Sequence, residues 1–223
     1  MFYPKVRFQL DKELDKKTAI NFLGLDVGGV NFANGILGVH PAIKKIIFNY
    51  IDDFYKKQTF SLSRQARNFQ KQWNAKAGLF FEAANLIFKN YPWPRGKYIG
   101  YLSIFDCNPR FLHDKTFQIF YKHKLGPTYI VAHELLHFIF FDYLSKKIKT
   151  SKKKLTENDL WELSEIVNDV ILDSQSFKKL LKLKKNIVSY PNLKNTASKL
   201  KIKFASNKSI DIDKLIDTVI DLK

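Results

Sequence analysis

The chain has 223 residues, enough for one domain with a sizeable core. Its 45% apolar and 15% aromatic content, with 20 Phe, excludes a disordered chain and predicts a core filled by large rings. The net charge of +17 would suit an anionic partner, but nearly all of it is Lys: Arg occurs only at Arg7, Arg64, Arg67, Arg95 and Arg110, and without an Arg cluster direct nucleic-acid binding is the disfavoured reading.

Taken in order, residues 4–10, "PKVRFQL", read as a strand, and "ELDKKTAINFL" as a short helix. "GLDVGGVNFANGILGVHP" holds five of the nine glycines and reads as the main loop region. It resembles the phosphate-binding turn of sugar kinases, but no second phosphate loop accompanies it, so a glycine-rich loop is expected. His40 reads as structural. "PAIKKIIFNYIDDFYKK" predicts a helix started by Pro41, and "SRQARNFQKQWNAKAGLFFEAANLIFKN" a second, long one ended by "YPWPRG".

"KYIGYLSIF" and "TFQIFYKH" have the aromatic and branched residues of strands, and "CNPRFLHD" between them reads as extended or looped, and edge-compatible because of Pro109. Cys107 is the single cysteine, so no disulfide can form within the chain, and a small buried hydrophobe is its expected role. "LGPTYIVAHELLHFIFFDYL" predicts a helix introduced by Gly126, Pro127 and Thr128. After a basic loop, "LTENDLWELSEIVNDVILDSQSF" predicts another, with Thr156 and Asp159 in a capping-box arrangement. The remainder is Lys-rich and ends in an amphipathic helix, "DIDKLIDTVIDL". The start of the chain lacks a signal-peptide core, and no run approaches the ~18 apolar residues of a membrane span. A cytoplasmic protein without membrane contact is the expectation.

The chemistry concentrates in "HELLH". His133 and His137 are four apart and so share one helix face, a spacing that lets both imidazoles reach one ion at about 2.0–2.1 Å. Glu134 projects roughly 100° around the helix from His133, off the metal axis but able to serve as general base. The apolar neighbours would keep water out. The alternative is an oily helix whose two histidines bond to carbonyls and whose glutamate pairs with a lysine. A catalytic zinc needs a third protein ligand. A histidine six residues after His137, with a glycine between, is excluded because Phe140 and Tyr143 stand there. Glu157, Glu162 and Glu165 on the next helix are the candidates. Glu157 suits a cap, Glu165 is preferred, and Glu162 is the alternative. Glu162, Glu165, Asp169 and Asp173 line one stripe, read either as a solvated face or as a face turned toward the histidines.

His133-Glu134-Leu135-Leu136-His137, followed by Glu165-Ile166-Val167-Asn168-Asp169, resembles the zincin metallopeptidases, in particular the gluzincins. The spacing between the two pieces is closer to that of the ImmA/IrrE-type peptidases, which cleave repressors inside bacteria. The resemblance spans residues 97 to about 175. It implies an α+β, zincin-like fold: a small mixed β-sheet, an active-site helix and a glutamate helix. It implies one zinc ion per chain held by His133, His137 and Glu165, with Asp169 orienting His133. It implies hydrolysis of peptide bonds with Glu134 as general base. It also implies that Asn108 to His113 (Asn108, Arg110, Phe111, Leu112, His113) form an edge strand that pairs with a peptide or protein substrate. An oxyanion stabiliser is required, with Tyr143, Tyr190, His113 and His123 as candidates. Residues 1–95 would be a mostly helical part covering the sheet, 96–180 the catalytic core, and 181–223 a basic extension, in one compact domain overall. The lysines of 146–154 and 178–185 predict a preference for acidic substrates or partners. Two rival readings stand beside the peptidase. One is a catalytically weak zincin-fold protein that binds zinc for regulation. The other is a basic nucleic-acid-binding protein in which "HELLH" is core.

Overall fold

The computed structural model describes residues 3–22, 26–27, 30–31, 41–148, 154–182, 190–205 and 210–222. The strands and helices lie in the order β1 (Arg7–Leu10), α1 (Lys12–Phe22), β2 (Asp26–Val27), β3 (Val30–Asn31), α2 (Pro41–Ile87), β4 (Ile99–Ser103), β5 (Arg110–Phe111), β6 (Thr116–Phe120), α3 (Gly126–Ile148), α4 (Glu157–Asp173), α5 (Gln175–Leu181), α6 (Lys194–Leu200) and α7 (Ile212–Asp221). The fold is α+β with a small mixed sheet. The glycine-rich stretch is described only at the paired strands β2 and β3; the rest of it, with His40, lies outside the described residues, as do the lysines of 149–153 and 183–189. No helix among the described residues is long and apolar enough to cross a membrane.

The chain clusters into two compact units that interleave in sequence: Pro4–Asn74 with Arg95–Ile130, and Met1–Tyr3 with Ala75–Pro94 and Val131–Lys223. The first unit holds the four-stranded sheet, ordered β1-β4-β6-β5. β1, β4 and β6 run parallel, and β5 runs antiparallel to β6 at the edge. Register stacks Phe8, Gly100 and Phe117 across three strands. A Cβ at Gly100 would come within 2.9 Å of both rings, so glycine is what lets two phenylalanines lean over the central strand. The other edge, β1, is closed by a side chain: Gln70 Nε2 donates to the Val6 carbonyl at 3.0 Å, and Phe8 N–H donates to Gln70 Oε1 at 3.2 Å. That amide takes up two backbone groups that a neighbouring strand would otherwise pair with.

Asp15 of α1, fully buried, ties this unit together. Tyr55 OH donates to it at 2.7 Å, Gln118 Nε2 at 2.8 Å and the Ile104 N–H at 3.2 Å. Burial pushes its carboxyl above the usual range, against the pull of hydrogen bonds from Ser103, Tyr55 and Ile104. Cys107 is buried as expected, and burial, then the charges of Asp15 and Asp106, push its thiol up to about 12.

Two expectations about helices change. Residues 41–87 form one helix rather than two. No Gly or Pro interrupts Lys57 to Leu62, and Ile51, Tyr55, Leu62, Ala66, Phe69 and Trp73 are all buried at steps of three, four or seven, so one apolar face runs through the expected break. The helix opened by Thr156 ends sooner than read. Ser174 is extended (ψ 156°) and its hydroxyl caps the Ile171 carbonyl at 2.7 Å, separating α4 from α5.

In the second unit α4 is the central element. Its capping box is present as predicted: Asp159 N–H donates to Thr156 Oγ1 at 3.1 Å, and the Thr156 N–H donates to Asp159 Oδ2 at 3.0 Å. Every residue from Leu163 to Leu172 is buried, because α5, α6, α7 and a π turn over Lys201–Ala205 all pack against α4. The end of α2 adds an aromatic cluster in which Phe80 meets Phe177 edge-on at 5.8 Å and Phe81 meets Trp93 at 5.0 Å.

Candidate metal centre

Gly126, at φ 76°, turns the chain into α3, and Pro127 follows in the first turn where its missing N–H is tolerated. From there Tyr129 to Phe140 are all buried, so the helix is fixed on every side and its polar residues are held in place. His133 and His137 come one turn apart, rings edge to face with centroids 4.6 Å apart, and their Nε2 atoms lie 3.0 Å from each other. Across from them α4 presents Glu165. Its Oε2 is 3.3 Å from His133 Nε2 and its Oε1 is 3.4 Å from His137 Nε2.

Three donor atoms from two helices therefore converge, and the group is buried: 8% exposure for His133 and none for His137 or Glu165. Ligand atoms about 2.0–2.1 Å from a shared tetrahedral ion are about 3.3–3.4 Å from one another; the two imidazole–carboxylate distances, each to a different oxygen of Glu165, have that length, and the 3.0 Å between the imidazole nitrogens is shorter. Two imidazoles and one carboxylate form a donor set suited to a divalent transition metal. The residues present fit a metal ion. Burial alone would raise the Glu165 carboxyl. Charge on His137, hydrogen bonds from His133 and His137 and charge on His133 outweigh it, so Glu165 is held well below the usual carboxylate range.

The acidic stripe of α4 is thus not a solvated face. Glu165 and Asp169 are buried, while Asp173 pairs with Lys178 at 2.9 Å and Glu162 accepts from Asn158 Nδ2 at 3.2 Å. Glu157 is exposed in the first turn. Glu134 is buried at 3% exposure on the histidine helix. Sequence reasoning missed two residues. Asn168, fully buried one turn beyond Glu165, donates from Nδ2 to the His133 carbonyl at 3.0 Å and so braces the two helices beside the ligands. Lys201, on the π turn, is buried; burial pushes its pKa down, against the attraction of Asp169 and Asp173. Asn168 carried a signal, being three residues from Glu165 and on the same face. Lys201 carried none, because a lysine in a Lys-rich tail reads as solvated.

The other candidates have local roles. Tyr143 OH donates to Asp213 Oδ1 at 2.7 Å, with its ring edge-on to Phe88 and Tyr91. The Tyr190 ring meets Trp161 at 4.8 Å. His113 is 98% exposed beside Asp114, and His123 Nδ1 accepts from the Leu125 N–H at 3.3 Å. The stretch from Asn108 to His113 does hold the antiparallel edge strand, but only Arg110 and Phe111 are in ladder conformation. Asn108 Oδ1 accepts from the Phe120 N–H at 3.0 Å, and the Leu112 carbonyl accepts from the Lys115 ammonium. Comparison with protein-family models, with curated proteins and with solved structures found no match, so the chemistry of the centre has to be argued from its own residues.

Proposed function

We propose that this protein is a zinc-dependent peptidase of the gluzincin type. The observation that carries this reading is the convergence of His133 Nε2, His137 Nε2 and the Glu165 carboxylate from two helices, with Glu134 one residue from the first histidine. The ion would be held by His133, His137 and Glu165. When bound it supplies Lewis-acid polarisation of a carbonyl and of water. The chain's own work is to keep both Nε2 atoms aimed at one point, through the buried α3 and the Asn168 brace, and to handle the proton. Glu134 takes a proton from the attacking water as its oxygen bonds to the carbonyl carbon. It returns that proton to the nitrogen of the breaking C–N bond, leaving a carboxylic acid and an amine. Asp169 orients His133.

The burial of the whole group supports a second reading, in which a metal is held for structure or regulation and cleaves little. Glu134→Gln separates the two. The peptidase loses about 10²–10⁴ in turnover of a cleaved library peptide, while zinc content stays at one per chain. If wild type holds zinc but cleaves nothing, and chelation unfolds it, the second reading is right. If wild type takes up no metal when zinc is supplied, both are wrong.

A further inference from the structure

We propose that the outward ridge of α2 between Lys57 and Lys71 binds single-stranded nucleic acid, a function separate from the metal centre. At 100° per residue, Lys57, Phe60, Arg64, Arg67 and Lys71 fall within an arc of about 80° and run about 21 Å along the helix. All five are exposed. The opposite side of the same turns is Tyr55, Leu62, Ala66, Phe69 and Trp73, all buried. The ridge is therefore a straight, outward-facing stripe of four cations with an aromatic ring among them.

Three features distinguish it from an ordinary solvated face. No Asp or Glu occurs between Asp53 and Glu82, so Arg64, Arg67 and Lys71 have no acidic residue within four positions, and Lys57 has only Asp53, one turn before it. Arg64 with Arg67, and Arg67 with Lys71, are like-charge pairs at three and four residues, which disfavour the helix unless an anion lies across them. None of the four cations forms an ion pair among the described residues. Phe60, 76% exposed, decides the kind of anion. Carboxylates of an acidic protein and phosphates of a duplex offer nothing to stack on an exposed ring. An unpaired base does, and cations beside an aromatic platform are how single strands are held. Two of the chain's five arginines stand on this stripe.

The test is fluorescence anisotropy of the full chain with a labelled oligothymidylate of about 20 nucleotides, long enough for a site of this size. Wild type should bind with a clear salt dependence. A triple variant, Lys57→Gln, Arg64→Gln and Lys71→Gln, should bind at least tenfold more weakly and lower the log–log salt slope by about 2, three cations at ~0.7 each. Phe60→Ala should weaken binding by about tenfold with the slope unchanged. A control variant with Lys179, Lys194 and Lys199 changed to Gln removes the same charge elsewhere and should lose less than threefold. All substituted residues are exposed, so thermal midpoints should match wild type. The proposal is overturned by absence of binding in wild type, by equal losses in both triple variants, by a duplex competing as well as the single strand, or by polyglutamate doing so.

Discussion

Asp15 and Glu165 are both fully buried carboxylates, and their surroundings shift them in opposite directions. Asp15 receives a phenol, an amide and a backbone N–H, all neutral donors, and its pKa rises with burial. Glu165 faces two imidazoles, and its pKa falls despite burial. Asp15→Ala should therefore destabilise the fold by about 3 kcal/mol or more, since each buried donor stranded costs ~1–3 kcal/mol. Urea unfolding would measure it; a loss under about 1 kcal/mol would mean the donors find other partners. Asn168→Ala should leave the ligands in place but weaken zinc by about tenfold, as loss of a supporting hydrogen bond does. Competition with a chelating dye would read that, and unchanged affinity would reduce Asn168 to space-filling. At this scale the histidine pair was readable because four-residue spacing on a helix is itself the geometry. Glu165 could be ranked above Glu162 but not settled from the chain, since which side of α4 faces the histidines depends on α5, α6 and α7. Lys201 was invisible because burial of a lysine is a tertiary fact.

Among the elements, α7 shows how the basic tail becomes part of a folded unit. Its apolar face, Ile212, Leu215, Ile216 and Val219, is buried, and Asp213 beside it gathers the Lys89 ammonium, Tyr143 OH and Lys147 Nζ, the last at 3.2 Å. Desolvation would raise the Asp213 carboxyl. Hydrogen bonds from Lys89, Tyr143 and Lys147 win, and it lies at about 2. A depressed folded pKa contributes stability above the unfolded value near 3.8, and that contribution is lost as pH falls through about 2. Asp213→Asn should thus lower the urea midpoint relative to wild type by a constant amount from pH 7 to about 5, and the gap should shrink between about pH 4 and 2. A gap that does not change with pH would mean that packing, not charge, is what Asp213 supplies. Strands β1, β4 and β6 and the box at Thr156 were legible because each is a local pattern. The continuity of α2 was not. The stretch Lys57 to Ser61, polar except for Phe60, looks like a break, yet the apolar face returns in phase at Leu62, and only the unbroken helix brings Lys57, Arg64 and Lys71 into one line.

For the whole molecule, the interleaving of the two units sets what can be cut. The motif-bearing span, residues 96–180, looks self-contained because its strands and both site helices follow one another. The structure divides that span: the strands belong with Pro4–Asn74, and the site helices with Ala75–Pro94 and the tail. Local patterns carry no information about such partners, which is why the boundaries could not be read. A fragment 96–180 would lose β1, the parallel partner of β4, and with it the Phe8 ring over Gly100. It would also lose α7, whose four buried apolar residues are worth roughly 1.5–3 kcal/mol each, or about 6–12 together. That sum is comparable to the ~5–15 kcal/mol by which a whole domain is stable. The fragment should therefore give a collapsed ¹⁵N–¹H spectrum, no cooperative melt and no stoichiometric zinc, although it contains His133, Glu134, His137 and Glu165. A dispersed spectrum with one bound zinc would show instead that α3 and α4 assemble without their surroundings. In that case the burial that isolates the centre in the full chain would not be what creates it.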